Sequence, residues 1–259
     1  MDTDELPRGR PFLTARWCNL ILANFATPDE LLTPYLPDGL QLDRRAGSAW
    51  CSIVAFEFRE TRVLGVPWPG YRCFPEINLR FYVRHGRHRG VVFVREYVPS
   101  RLVAWIARSV YREPYLAVPM QCSTRETEKE ISIEHRLSIA GANYRVSATG
   151  EKPPVRPDAD SVEHHFKEHA WGYGRNRHGQ TIRYAVHHPV WDVYPVKSAQ
   201  IDVDWRRLYG PEWEKMSGRT PDSVFLAVGS RVEVYPGGRV LDPVEVEPAV
   251  QPAAHPLPG

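Results

Sequence analysis

Between Phe74 and Val83 the chain reads FPEINLRFYV, and apolar residues recur at every second position. This predicts an extended strand with Ile77, Leu79, Phe81 and Val83 on one face and Glu76 and Arg80 on the other. That second face is either wetted by bulk solvent or turned towards a cavity. A turn at 85–90 and a return strand, Val91–Tyr97, complete a hairpin. Similar apolar or alternating runs predict strands at Arg16–Phe25, Leu40–Asp43 and Ala49–Arg59, three more across 118–149, one over Thr181–Val196 broken at Pro189, and a long last one over Ser223–Tyr235.

Helices are few and short. Thr27-Pro28-Asp29-Glu30 reads as a capping box that opens a helix stopped by Pro34 and Pro37. A second runs from Arg101 to Tyr111, with Leu102, Val103, Ile106, Ala107 and Val110 on its apolar face. Asp160 and Glu163 form another capping pattern before a helix through Val162, Phe166 and Ala170, and Asp204–Met216 is helical in parts. The class is α+β, mainly β: a largely antiparallel sheet or closed barrel with short flanking helices. One domain over residues 11–241 is expected, with flexible tails at 1–10 and 242–259.

Composition narrows the function. A length of 259 residues suits a single domain with a full core. The net charge of +2 has no basic block, which argues against nucleic acid and anionic membrane as partners. No apolar run approaches the ~20 residues that span a bilayer, no leader pattern opens the chain, and Cys18, Cys51, Cys73 and Cys122 lack metal or redox spacing. A cytoplasmic protein is expected, without metal or cofactor. No glycine-rich phosphate loop is present. His165 and His169 are spaced as on one helical face, yet without the motif of a zinc enzyme they read as surface histidines. The 33 basic residues include only five lysines, at 129, 152, 167, 197 and 215, so amine chemistry has few candidates.

The segments FLTARWCNLIL, LLTPYLPDGLQLD, AWCSIVAF, FPEINLRFYV, IARSVYREPYLAVPM and HHPVWDVYPV occur in an order and spacing that resemble the YqjF-like branch of the acetoacetate decarboxylase-like superfamily, a domain of unknown function. The resemblance implies a cone-shaped antiparallel β-barrel with an internal cavity, commonly as a homo-oligomer. In the decarboxylases a lysine that follows a proline forms a Schiff base, and a second lysine lowers its pKa. The matching segment here is Glu113-Pro114-Tyr115-Leu116, which keeps the proline and has neither lysine. Lys197 is the one lysine considered as a displaced nucleophile. The resemblance also implies that Glu76 lines the substrate cavity.

Glu76 and Tyr115 are therefore the catalytic candidates, and Arg80, Arg16, Asn78, Met120 and His187 the candidate ligand contacts. Arg16 stands near the family's cavity arginine, Met120 reads more simply as barrel core, and His188, before Pro189, reads first as a structural residue at a strand break, with a proton shuttle at His187 or His188 as the lesser reading. A Glu76–Arg80 ion pair of purely structural value is the competing account. Glycines, prolines, Trp68 and Tyr71 between Arg62 and Cys73 suit a lid or an oligomer contact. The expected ligand is a small organic acid or carbonyl compound, bound with turnover; the alternatives are a non-catalytic ligand sensor or carrier and a structural scaffold with a filled barrel.

Overall fold

The structure, a computed structural model, describes residues 9–67, 72–110 and 114–240. The elements in chain order are β1 (Leu13–Thr27), α1 (Asp29–Leu32) with a 3-10 turn (Thr33–Tyr35), β2 (Gln41–Leu42), β3 (Ala49–Val63), β4 (Val66–Pro67), β5 (Phe74–His85) and β6 (His88–Val98). They continue with α2 (Arg101–Val110), β7 (Tyr115–Ala117), β8 (Met120–Glu126), β9 (Glu130–Ile139), β10 (Ala142–Glu151), α3 (Val162–Lys167), β11 (Trp171–Arg175) and β12 (Thr181–His187). The last are β13 (Val193–Tyr194), β14 (Val196–Asp202), α4 (Trp205–Tyr209) with a 3-10 turn (Pro211–Met216), and β15 (Ser223–Val240).

Seven strands close a barrel in the order β5-β3-β1-β15-β12-β11-β6, sealed by the β5–β6 hairpin. All its pairs are antiparallel except the short parallel contact of β11 with β6. Closure removes the exposed sheet edges that an open sheet of this size would present. Four more strands, β14-β10-β9-β8, form a separate antiparallel sheet.

This second sheet explains why the apolar faces of β3 and β5 point out of the barrel. Ile21, Ile53, Ile77, Leu79 and Phe81 pack in one core with Ile133, Leu137 and Val146 of the small sheet. Trp205, Leu208, Tyr209, Trp213 and Met216 extend that core, with Trp205 and Trp213 stacked at 5.9 Å. A second core contains Leu20, Leu22, Val54, Phe56, Phe58 and Phe74, inward residues of the same barrel strands, together with Trp191 from the segment after β12. Both faces of β3 are thus buried. On β5 the apolar face meets the small sheet, and the polar face turns into the barrel.

A bulge decides what β6 contributes. Asn78 pairs with Glu96 and Leu79 with Arg95, but Arg80 pairs with Phe93, leaving Val94 as an extra residue. The side chains that face inward are therefore Val91 and Phe93 before the bulge, and Glu96 and Val98 after it.

Helix ends differ from the sequence expectation in two places. The Thr27 hydroxyl donates to the Phe25 carbonyl at 2.8 Å, because Thr27 is still in β1, and α1 has no side-chain cap. α3 is capped by Ser161, whose hydroxyl accepts from the His164 amide at 3.1 Å, and it ends at Lys167, before His169. The lid proposed for the 62–73 loop rests on Trp68 and Tyr71, which lie outside the described residues, as do residues 1–8 and 241–259 of the tails and Glu113. Among the described residues no helix is long and apolar enough to cross a membrane.

Candidate functional site

A cavity of about 180 Å³ occupies the barrel interior. Its wall is mainly apolar and aromatic, with Trp17, Phe56, Phe58, Phe74, Phe93 and Trp191 prominent. Polar side chains gather at two ends.

The first end is built on β5, β6 and β7. Glu76 and Asn78 are successive inward residues of β5, Glu96 sits opposite Asn78 on β6, and Tyr115 sits opposite Glu96 on β7. Glu76, Asn78 and Glu96 are all at most 3% exposed. The Asn78 amide donates to Glu76 Oε1 at 3.0 Å and the Tyr115 hydroxyl donates to Glu76 Oε2 at 3.1 Å. Burial pushes the Glu76 carboxyl up to about 7, against the two hydrogen bonds, which favour the ionised form. Burial and the neighbouring carboxylates of Glu76 and Glu96 hold the Tyr115 phenol well above its ordinary value. Tyr115 is therefore a hydrogen-bond donor at neutral pH. Glu76 is poised between its two protonation states.

The second end carries Arg80, Lys167, His169 and His188. The Arg80 guanidinium donates to the Phe166 carbonyl at 2.9 Å and lies 5.7 Å from the centre of the Tyr82 ring. The Lys167 ammonium is buried and bonded to the Glu168 carboxylate. His169 is 8% exposed, and neither ring nitrogen has a hydrogen-bond partner. The His188 ring stacks on Trp191 at 4.0 Å, with Nδ1 2.9 Å from the Pro189 carbonyl. Burial lowers the pKa of both histidines, so their neutral forms are favoured.

Of the residues singled out in the sequence, Glu76, Asn78, Arg80 and Tyr115 line the cavity. Arg16, Met120 and His187 do not. Arg16 is exposed on β1, and its neighbour Trp17 points inward instead. On β12 the inward residues are Tyr184 and Val186, followed by His188, so His187 falls on the opposite face. Met120 belongs to the small sheet and packs against the core outside the barrel. Lys197 is on β14, bonded to Glu130 at 2.6 Å, far from any role in the cavity. The structural pairing of Glu76 with Arg80 is absent: the partners of Glu76 are Asn78 and Tyr115, and that of Arg80 is a carbonyl.

Four wall residues lie beyond the sequence reading or at its margin. Glu96 is brought inward by the bulge, which no pattern announced. Lys167 and His169 follow the end of α3, and the His165–His169 pairing fails because His169 has left the helix. His165 instead contacts Arg89, itself bonded to Asp43 at 2.6 Å. His188 was weighed beside His187, and strand parity selects it. Among the described residues, no group of three or more His, Cys, Asp or Glu side chains is arranged to hold a metal ion.

Comparisons with known proteins agree with this architecture. The chain is 26% identical over 186 residues to the uncharacterised protein YqjF of Bacillus subtilis strain 168, covering 71% of this chain and 76% of that protein. Its fold is similar to that of an acetoacetate decarboxylase-like enzyme from Sphingomonas wittichii RW1, with a TM-score of 0.60, 12% identity, and 92% and 99% of the two chains covered. It is also similar to the enduracididine biosynthesis enzyme MppR complexed with pyruvate, with a TM-score of 0.60, 13% identity, and 93% and 95% coverage. At these identities the likeness concerns the fold. The family profile of DUF2071, described as an uncharacterised conserved protein, matches residues 14–231, and the chain belongs to that family, built on the acetoacetate decarboxylase-like fold.

Proposed function

We propose that the barrel cavity binds a small organic acid or carbonyl compound, and that Glu76 moves a proton to or from it. The observation that carries this reading is a buried carboxyl group on the wall of the barrel cavity, with its pKa raised to about 7. A group that titrates near neutrality is an efficient acid and base at the same pH. With a ketone in the cavity, ionised Glu76 takes the proton from the carbon beside the carbonyl, and the electron pair moves to the carbonyl oxygen. Asn78 and Tyr115 hold the carboxylate in place. The reaction class is that of a lyase or isomerase acting on a keto or enol compound, without a lysine intermediate at the segment Pro114-Tyr115-Leu116. Pyruvate bound in the fold relative MppR supports a carbonyl-acid ligand by analogy of fold.

A non-catalytic carrier or sensor uses the same cavity and is separated by experiment. A thermal-shift screen of small acids, ketones and aldehydes identifies ligands, and each is then incubated with the protein in heavy water. The expected result is deuterium entering the position beside the carbonyl, lost in E76Q while binding persists. Binding without exchange in the wild type would establish the carrier. A barrel that accepts no compound would return the protein to a scaffold role.

A further inference from the structure

The basic end of the cavity holds a charge that nothing in the barrel neutralises. Lys167 is balanced by Glu168, whose Oε1 also accepts from the Trp191 amide at 3.3 Å and whose Oε2 lies 3.8 Å from His188 Nδ1. Arg80 is half-buried and has the neutral Phe166 carbonyl and the Tyr82 ring as neighbours, and its Nε is buried without a partner. No ion pair to Arg80 is formed among the described residues. Glu76, on the same strand face, is committed to Asn78 and Tyr115. His169, more than nine-tenths buried, adds two ring nitrogens with no partner. A half-buried charge without a counter-charge is less well solvated than in water, and an opposite charge with matching hydrogen bonds relieves that cost.

One positive charge calls for one negative charge. A carboxylate matches a guanidinium that still has free donors, because two parallel N–H···O bonds form at once. The remaining wall is apolar and aromatic, so the body of the ligand must be apolar too. A volume of about 180 Å³ limits that body to about one ring or a short branched chain, well under the ~300 Å³ of drug-sized pockets.

We infer that Arg80, Lys167 and His169 form an anion subsite, and that the ligand is an apolar-bodied monocarboxylate with its carboxylate on Arg80 and His169 and its other end at Glu76. This names the substrate class for the cavity-binding reading above and rests on it. Lys167 sets the local potential while paired to Glu168, and Arg80 makes the direct contact.

The test uses quenching of the fluorescence of the wall tryptophans Trp17 and Trp191 at pH 6.5, with phenylacetate, phenylacetamide, phenylacetone and phenylmalonate as probes. Phenylacetate is expected to bind about tenfold or more tighter than phenylacetamide, the worth of a charge-assisted hydrogen bond. Phenylmalonate, with its second charge, should bind more weakly than phenylacetate. R80Q should bring the acid-to-amide ratio close to one. H169F provides a second variant, expected to lower the ratio without changing the affinity for phenylacetone. Equal affinity for acid and amide in the wild type, a preference that survives R80Q, or tighter binding of phenylmalonate would each overturn the subsite. If phenylacetone binds while the acid shows no advantage, the subsite falls and the cavity reading stands. If no probe binds, both fall.

Discussion

Glu76 and Arg80 share one face of β5 and do not pair. Four residues along an extended strand span about 13 Å, too far for their side chains to meet without leaving the wall. The strand spaces an acid-base group and a cation along a single cavity, each with its own partners. Glu76 has Asn78 and Tyr115, and Arg80 has the Phe166 carbonyl. A ligand with one acidic and one carbonyl end is the simplest molecule that satisfies both.

The raised pKa of Glu76 makes stability depend on pH. Folded Glu76 binds its proton more tightly than the unfolded chain, with a pKa of about 7 against the ordinary 4.5 of a glutamate. Its contribution is fully present below pH 4.5 and is lost as pH rises through 7. The full difference is about 3 kcal/mol. E76Q carries no such charge. The variant should match the wild type near pH 4.5 and exceed it in denaturant-derived stability by up to about 3 kcal/mol near pH 8.5. Parallel pH profiles for the two proteins would show that Glu76 is not the titrating group.

Tyr115 donates to the ionised form of Glu76, so its removal should push the carboxyl further up. Y115F is expected to raise the Glu76 pKa by about one unit or more, given the strength of a hydrogen bond to a charged acceptor. Carbon-13 NMR of labelled glutamate, assigned by comparison with E76Q, reads the shift directly. A Glu76 pKa unchanged in Y115F would detach the tyrosine from the acid-base role.

Lys167 is a cavity lysine, yet its side-chain nitrogen is bonded to the Glu168 carboxylate and is not free to attack a carbonyl. Treatment with acetoacetate or pyruvate followed by borohydride should therefore leave the protein unlabelled at pH 7. E168Q, which frees the amine, provides a sensitised control for the chemistry. Stoichiometric mass addition at Lys167 in the wild type would reverse this assignment.

Gly229 is fixed by its surroundings. Its φ is +78°, and a Cβ there would stand 2.1 Å from the Trp17 carbonyl oxygen. This is where β15 crosses the irregular stretch of β1 that aims Trp17 into the cavity. G229A should lose about 2 kcal/mol or more in equilibrium unfolding. It should also weaken any ligand that touches Trp17. A neutral substitution would mean that the two strands separate locally at small cost.

Much of this arrangement was readable from the chain. The two-residue period of FPEINLRFYV put Glu76 and Arg80 on one face, the family resemblance implied that Glu76 lines the cavity, and the hairpin that follows was marked by its turn. The pattern could not say which face was interior, because a second sheet covers the apolar side and inverts the usual order. Parity along β1 and β12 accounts for the exchange of Arg16 for Trp17 and of His187 for His188, since a shift of one residue moves a side chain to the other face. Met120 was misplaced for a different reason: alternation in β8 does not reveal which sheet the strand joins. Lys167 and His169 owe their position to where α3 stops, and helix ends are set by local hydrogen bonds such as that from the Glu168 amide to the His164 carbonyl.

Val94, the extra residue in β6, works like a shifted reading frame. A strand can be read in two phases, and the bulge switches from one to the other halfway along. Before it the odd positions speak to the cavity; after it the even ones do. A single insertion or deletion here would therefore exchange a whole set of wall groups at once, trading Glu96 for Arg95 with no change in the residues themselves. Within this barrel, the chemistry of the acidic end is inherited partly as spelling and partly as spacing. Relatives with similar β6 sequences but a different bulge would present an arginine where this barrel has Glu96.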